Sequence, residues 1–238
     1  MHMLLQPARS IFRATLLLCG LYCASTGAQT TIATLPDNYK TIFENQDLLV
    51  MHVHYGAHEF VPMHDHSAYP TVYVYLNNSG EVAIAHEGPE GLKVVRPPTH
   101  AGAFRIGPSM AERHSVTNLG DTASDFLRVE LKSIPLSDLE EVFRGEAPSP
   151  PSPGTHTEFE DAALRIDRVV CPADSPCSAT PATARSLLVA ITPQQIETKA
   201  GKRSLKVGDV FWFSGNDDKA LRLSAGAQNL RITLLYPE

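Results

Sequence analysis

Residues 56–80 read GAHEFVPMHDHSAYPTVYVYLNNSG and residues 102–118 read GAFRIGPSMAERHSVTN. In the first stretch His64-Asp65-His66 precedes Thr71 to Tyr75 (TVYVY), a β-branched and aromatic run that suits a strand. Asn77 to Gly80 (NNSG) closes that run with the residues of a tight hairpin turn. Side chains two apart on a strand share a face, so the His64 and His66 imidazoles can enter one interior and grip one ion. The second stretch brings a further imidazole, His114, after Gly107-Pro108.

Working outward, short strand-like runs punctuated by Gly, Pro, Asn and Asp continue on both sides. They are Asp47 to His54, Glu81 to His86, Leu92 to Arg96, Ala103 to Ile106, Ser115 to Asn118 and Phe126 to Lys132. Leu136 to Phe143 is a short helical candidate with Ser137 as its cap. The proline-rich segment 144–157 (RGEAPSPPSPGTHT) reads as an extended linker. Beyond it the runs resume: Leu164 to Val170, Ser186 to Ile191, Gln195 to Lys199, Val210 to Phe213, Ala220 to Ser224 and Leu230 to Tyr236. Phe104 to Ile106 and Leu127 to Leu131 are echoed in order by Phe211 to Phe213 and Leu230 to Leu235. The expectation is an all-β protein of two related domains, 40–143 and 158–238.

The chain has 238 residues and a net charge of −6, without the basic footprint that nucleic acid requires. No apolar run reaches the roughly 18 residues of a membrane span. Arg9 and Arg13 precede the apolar stretch Ala14 to Cys23 and small residues through Ala28, the order of a secretory signal peptide with cleavage after Ala28. The expected location is periplasmic or secreted. In that oxidising setting Cys171 and Cys177, which bracket a Pro-Ala-Asp-Ser-Pro turn, read either as a disulfide or as two free thiols. Serine-hydrolase elbows, phosphate loops and dinucleotide turns are absent from the sequence.

Eight of the ten histidines lie between His52 and His114, which concentrates the candidate chemistry in the first half. There the chain resembles the cupin superfamily: H-x-H with a Gly on each side (Gly56, His64, His66, Gly80), then Gly102, Pro108, His114 and Asn118, with 21 residues between Gly80 and Gly102. The second half resembles the family in strand pattern only, with Lys219 or Ala220 where a His would stand. The resemblance implies two tandem small β-barrel, jelly-roll-like domains, a bicupin with one working site. It implies His64, His66 and His114 as ligands of a divalent transition metal (Fe, Mn, Ni, Cu or Zn), and barrel-edge dimerisation to a homodimer. The family's Glu after H-x-H is absent, Pro70 and Thr71 standing there, and Met110 replaces a Gly of the second motif.

Glu112 is the candidate replacement carboxylate, or else a solvated rim residue. Tyr73, Tyr75 and Arg105 are candidate pocket residues, with Arg128 a second cation for an anionic small-molecule ligand; the alternatives are plain core for the tyrosines and solvent for the arginines. His52 and His54 share a strand face, as supporting donors or as an exterior ladder. His58, His86 and His100 read as surface or turn residues. Three neutral imidazoles leave a divalent ion Lewis acidic. The candidate activities are iron-dependent dioxygenation or metal-assisted isomerisation of a small organic acid or enolisable molecule. The rivals are a non-catalytic binding or sensing module and a metal-free structural β-protein.

Overall fold

The computed structural model describes residues 31–88, 91–134, 143–147, 152–179, 185–198, 201–214 and 221–235. After a short turn of 3-10 helix at Ile32–Thr34, ten strands build the first half: β1 (Tyr39–Glu44), β2 (Leu48–Tyr55), β3 (Phe60–His66), β4 (Thr71–Tyr75), β5 (Val82–His86), β6 (Lys93–Arg96), β7 (Phe104–Gly107), β8 (Glu112–Asn118), β9 (Ser124–Leu131) and β10 (Phe143–Gly145). The second half continues with β11 (Gly154–Glu160), β12 (Leu164–Val170), β13 (Cys177–Ala179), β14 (Ser186–Ala190), β15 (Gln194–Thr198), β16 (Gly201–Leu205), β17 (Val210–Phe213), β18 (Leu221–Leu223) and β19 (Gln228–Leu234). Every strand pair between these elements is antiparallel.

Four sheets result. The first half holds β1-β2-β9-β4-β7-β10 and β3-β8-β5-β6; the second holds β11-β12-β19-β14-β17 and β13-β18-β15-β16. The strands echoed in sequence, β7 with β17 and β9 with β19, take the same places in the two large sheets. Each half is thus a jelly-roll-like sandwich, all-β as the sequence suggests. Its sheets are open rather than a continuous ring, since no pairing among the described residues closes them.

Alternation along the strands decides what lies where. On the six-stranded sheet, Leu48, Val50, Val72, Val74, Phe104, Ile106, Leu127, Val129 and Leu131 face one way and join Leu164, Ile166, Leu187, Val189, Leu230, Ile232 and Leu234 of the five-stranded sheet in a single core. Burying each such side chain contributes about 1.5–3 kcal/mol, so the two halves share a core instead of merely touching. The opposite face of the six-stranded sheet carries Tyr39, Tyr55, Tyr73, Tyr75, Arg105, Phe126 and Arg128 towards the histidine-bearing sheet. The equivalent interior of the second half is filled by Val169, Leu188, Ile196, Leu205, Phe213, Leu221 and Leu223. Beside them Asp167 and Arg231 are buried as an ion pair at 2.8 Å, and among the described residues no metal-ligating group of His, Cys, Asp and Glu forms in this half.

Several expectations need correction or fall outside view. The segment 144–157 is not all linker: β10 includes Arg144 and Gly145, and β11 starts at Gly154. The helix expected from Leu136 lies outside the described residues up to position 142, and Phe143 opens a strand. The leader segment and positions 219 and 220 also lie outside them. The runs named from the sequence do not include β1, β10, β11, β13 and β16, and of β3 only the His64-Asp65-His66 end is read as strand. Cys171 and Cys177 form a disulfide, with Cα atoms 5.2 Å apart, and no helix among the described residues is long and apolar enough to cross a membrane.

Candidate metal centre

Strand β3 would not aim its histidines inward if it were regular. Val61 is fully buried in the interior with Tyr55 and Val116, so strict alternation would turn Met63 and Asp65 inward. Pairing with β8 instead runs Val61↔Val116 and then His64↔His114, three residues against two. The extra residue is a β-bulge at Pro62-Met63, where a proline costs no ladder bond, and it switches the facing side chains to His64 and His66.

The three candidate ligands converge. His64, His66 and His114 are buried, and their ligating nitrogens lie within 4.8 Å of one another. His64 Nδ1 donates to the Pro62 carbonyl at 2.7 Å, which leaves the lone pair on Nε2. That atom stands 3.0 Å from His66 Nε2 and 2.8 Å from the Tyr39 hydroxyl. Nδ1 of His66 and Nδ1 of His114 are buried without hydrogen-bond partners.

Burial lowers the pKa of all three, reinforced at His66 by Arg128 and the other two rings; at His114 the value falls to about 3. Three neutral imidazoles therefore meet at one point. Unpaired buried polar atoms cost about 1–3 kcal/mol each, and a transition-metal ion relieves that cost at this donor set. The residues present fit such an ion.

Tyr39 was missed from sequence. It is buried on β1, 25 residues before His64, and its hydroxyl also lies 2.7 Å from that of Tyr55. Burial holds both phenols well above their ordinary range, so without an ion Tyr39 donates to His64. The signal that could have found it is an aromatic opening the Tyr39 to Phe43 strand run.

Glu112 faces His66 across the β3–β8 ladder, with Oε2 3.8 Å from His114 Nδ1. It belongs to a second donor group, His86, Glu112 and His114, rather than to the main trio. His86 is accordingly not a turn residue: it ends β5, half-buried, opposite His114. Its place at the end of the Glu81 to His86 run is as the sequence suggests; its position opposite His114 is not visible there. His52 and His54 form the exterior arrangement, both reaching Asp125 at 3.3 and 2.8 Å, and His58 pairs with Asp121 at the surface. His100 is exposed. Asn118 is structural, its amide donating to the carbonyls of Tyr55, Gly56 and Thr122.

A pocket opens beside His66 and His114 between the two sheets, lined among others by Tyr73, Tyr75, Phe126 and three arginines, Arg96, Arg105 and Arg128. Arg128 is committed to Glu130 and the Tyr73 hydroxyl, at 2.9 and 2.8 Å. Arg105 does not reach out to solvent. It is buried with its guanidinium stacked 3.9 Å from the centre of the Tyr73 ring, and its Nε has no hydrogen-bond partner. Arg96 Nε is also unpartnered, and its pKa is lowered by burial and by Arg105 beside it. Neither Arg96 nor Arg105 has a carboxylate partner among the described residues.

No family model matches the sequence, and no curated protein matches it. Solved structures do match. AerE from Microcystis aeruginosa is 14% identical, with a TM-score of 0.55 over 84% of this chain and 98% of that one. The pirin YhhW of Escherichia coli, solved in complex with nickel(II), is 13% identical, with a TM-score of 0.59 over 82% of this chain and 90% of that one. A mutant of salicylate 1,2-dioxygenase from Pseudoaminobacter salicylatoxidans is 10% identical, with a TM-score of 0.52 over 81% of this chain and 72% of that one. The chain shares its fold with these structures, in keeping with the jelly-roll-like architecture that the cupin resemblance implies.

Proposed function

We propose that this protein is an exported bicupin whose first domain holds one divalent transition metal through His64, His66 and His114 and acts there on a small organic acid. The observation that carries this reading is the meeting of three buried, neutral imidazoles beside a pocket that also holds Arg96 and Arg105, which have no carboxylate partner among the described residues. An ion held by imidazoles alone keeps its full charge and supplies Lewis acidity or, if iron, a site for oxygen chemistry.

The chain's own residues do the rest. Arg105 and Arg96 bind the carboxylate, a pairing for which guanidinium is well shaped. Tyr73, Tyr75 and Phe126 flank the ligand and exclude water. The apolar second half acts as the base on which the six-stranded sheet is set. Export is supported by the leader pattern and the disulfide, and nickel and dioxygenase chemistry among proteins of this fold are compatible with the metal reading.

The test is metal analysis of purified wild type, His64→Ala and His114→Ala, followed by oxygen uptake with a panel of hydroxy acids and β-diketones. One ion per wild-type chain, lost in both variants, is the expected result; equal trace metal in all three removes the site. Oxygen consumption or isomerised product identifies an enzyme, whereas tight acid binding without turnover identifies a ligand-capture module.

A further inference from the structure

We infer that the phenol oxygen of Tyr39 is the fourth protein ligand of this centre, bound as phenolate and steadied by a hydrogen bond from Tyr55. The inference rests on the metal reading above and specifies the ligand set that the three histidines leave incomplete.

Spacing supplies the first argument. Donors bonded to one ion at about 2.1 Å and at right angles stand about 3.0 Å apart. His64 Nε2 and His66 Nε2 are 3.0 Å apart, and Tyr39 Oη is 2.8 Å from the same His64 atom. The phenol oxygen thus stands at the separation from His64 Nε2 that a neighbouring ligand would have.

Charge supplies the second. No carboxylate follows the H-x-H pair, and Glu112 groups with His86 instead. The trio on its own would hold an ion against three neutral donors in a buried setting, and one phenolate removes half of a divalent charge. Hydrogen bonding supplies the third. In the ion-free arrangement the Tyr39 hydroxyl donates to the His64 lone pair; an ion that takes this lone pair leaves the phenol facing a cation. Losing its proton to bulk solvent and bonding through oxygen resolves that conflict. The Tyr55 hydroxyl, 2.7 Å away, is then free to donate to the phenolate.

The experiment uses the full chain stripped with chelator and titrated with Fe(III) and, separately, Cu(II). The wild type is expected to bind one ion and to develop a visible phenolate-to-metal charge-transfer band, with phenolate ring modes in resonance Raman. Tyr39→Phe keeps the ring and removes only the oxygen; it should bind the ion at the same stoichiometry, at least about tenfold more weakly, and without the band. Tyr55→Phe should keep the band and move it.

A wild type that binds the ion with no phenolate signature overturns the inference while leaving the histidine trio standing. So does a Tyr39→Phe protein with an unchanged band. Failure of the wild type to bind any ion sinks the metal reading itself. Should Tyr39→Phe not fold, the wild-type Raman spectrum and its displacement in Tyr55→Phe decide.

Discussion

Val61 and His64 project into the same interior although they stand three positions apart along β3, because β3 carries one extra residue between them while their partners Val116 and His114 stand two apart on β8. The register of the whole candidate centre depends on that single insertion. Deleting Met63 removes the extra residue, so Val61 and His64 come to stand two apart and His64 still faces His114 with Asp65 outward. The deletion variant is expected to retain its β-sheet circular dichroism and its stoichiometric metal. Loss of metal with the sheet intact would mean that the bulge, beyond setting the facing of the histidines, shapes the donor set itself.

This bulge shows where reading the sequence succeeds and where it stops. Thr71 to Tyr75 and Phe126 to Leu131 are recognisable because both faces of their strands are covered and nearly every residue is apolar, aromatic or paired. The H-x-H pair is legible as a unit, but not the Pro62-Met63 insertion that aims it. Tyr39 opens an edge strand whose next three residues are exposed, so no alternating pattern flags it, and its proximity to His64 is purely tertiary. Arg96 and His86 escape for a related reason. Each ends a short strand next to proline- or glycine-containing turns, and composition there points to the surface.

The junction between the halves makes a separate demand on Gly102. Its carbonyl accepts a hydrogen bond from Arg168 Nη2 of the other half at 2.8 Å, and its φ is +82°. A Cβ at this position would lie 3.1 Å from Ile191 Cγ2 and 3.2 Å from Arg168 Nη1. Gly102→Ala therefore combines a strained backbone with crowding and should cost about 1–3 kcal/mol. Urea denaturation followed by tryptophan fluorescence reads this directly, Trp212 packing against the shared core. A variant as stable as wild type would show that the junction yields without penalty.

Arg105 provides the most direct test of ligand class. Its stacking on Tyr73 keeps the guanidinium plane fixed, and the side chain has no acidic partner among the described residues to lose. Arg105→Lys keeps the charge but not the planar fork, and Arg105→Ala removes both. Calorimetric titration of the metal-loaded protein with simple carboxylic acids should show weakening of about tenfold or more for lysine and further weakening for alanine. That ratio corresponds to loss of one charge-assisted contact of about 1.5–3 kcal/mol. Uncharged amide analogues of the same acids should bind wild type and variants alike. Equal loss for acids and amides would assign Arg105 a packing role instead.

Acid should act on the ion-free protein through the same imidazoles. Burial depresses all three in the folded state, with His114 near 3, whereas the unfolded chain titrates them near the ordinary 6.5. Between those values the unfolded state holds more protons than the folded one, so stability rises with pH across this window. Chelator-treated protein should consequently lose stability as pH falls below about 6.5, with the loss continuing towards pH 3. His114→Gln should flatten the slope, because one of the protons taken up on unfolding is gone. Bound metal should hold the stability curve level to lower pH, until protons compete for the imidazoles and the ion is released. Thermal melts of apo and loaded protein between pH 7 and pH 4 check this; parallel curves for both forms would place the acid-sensitive groups elsewhere.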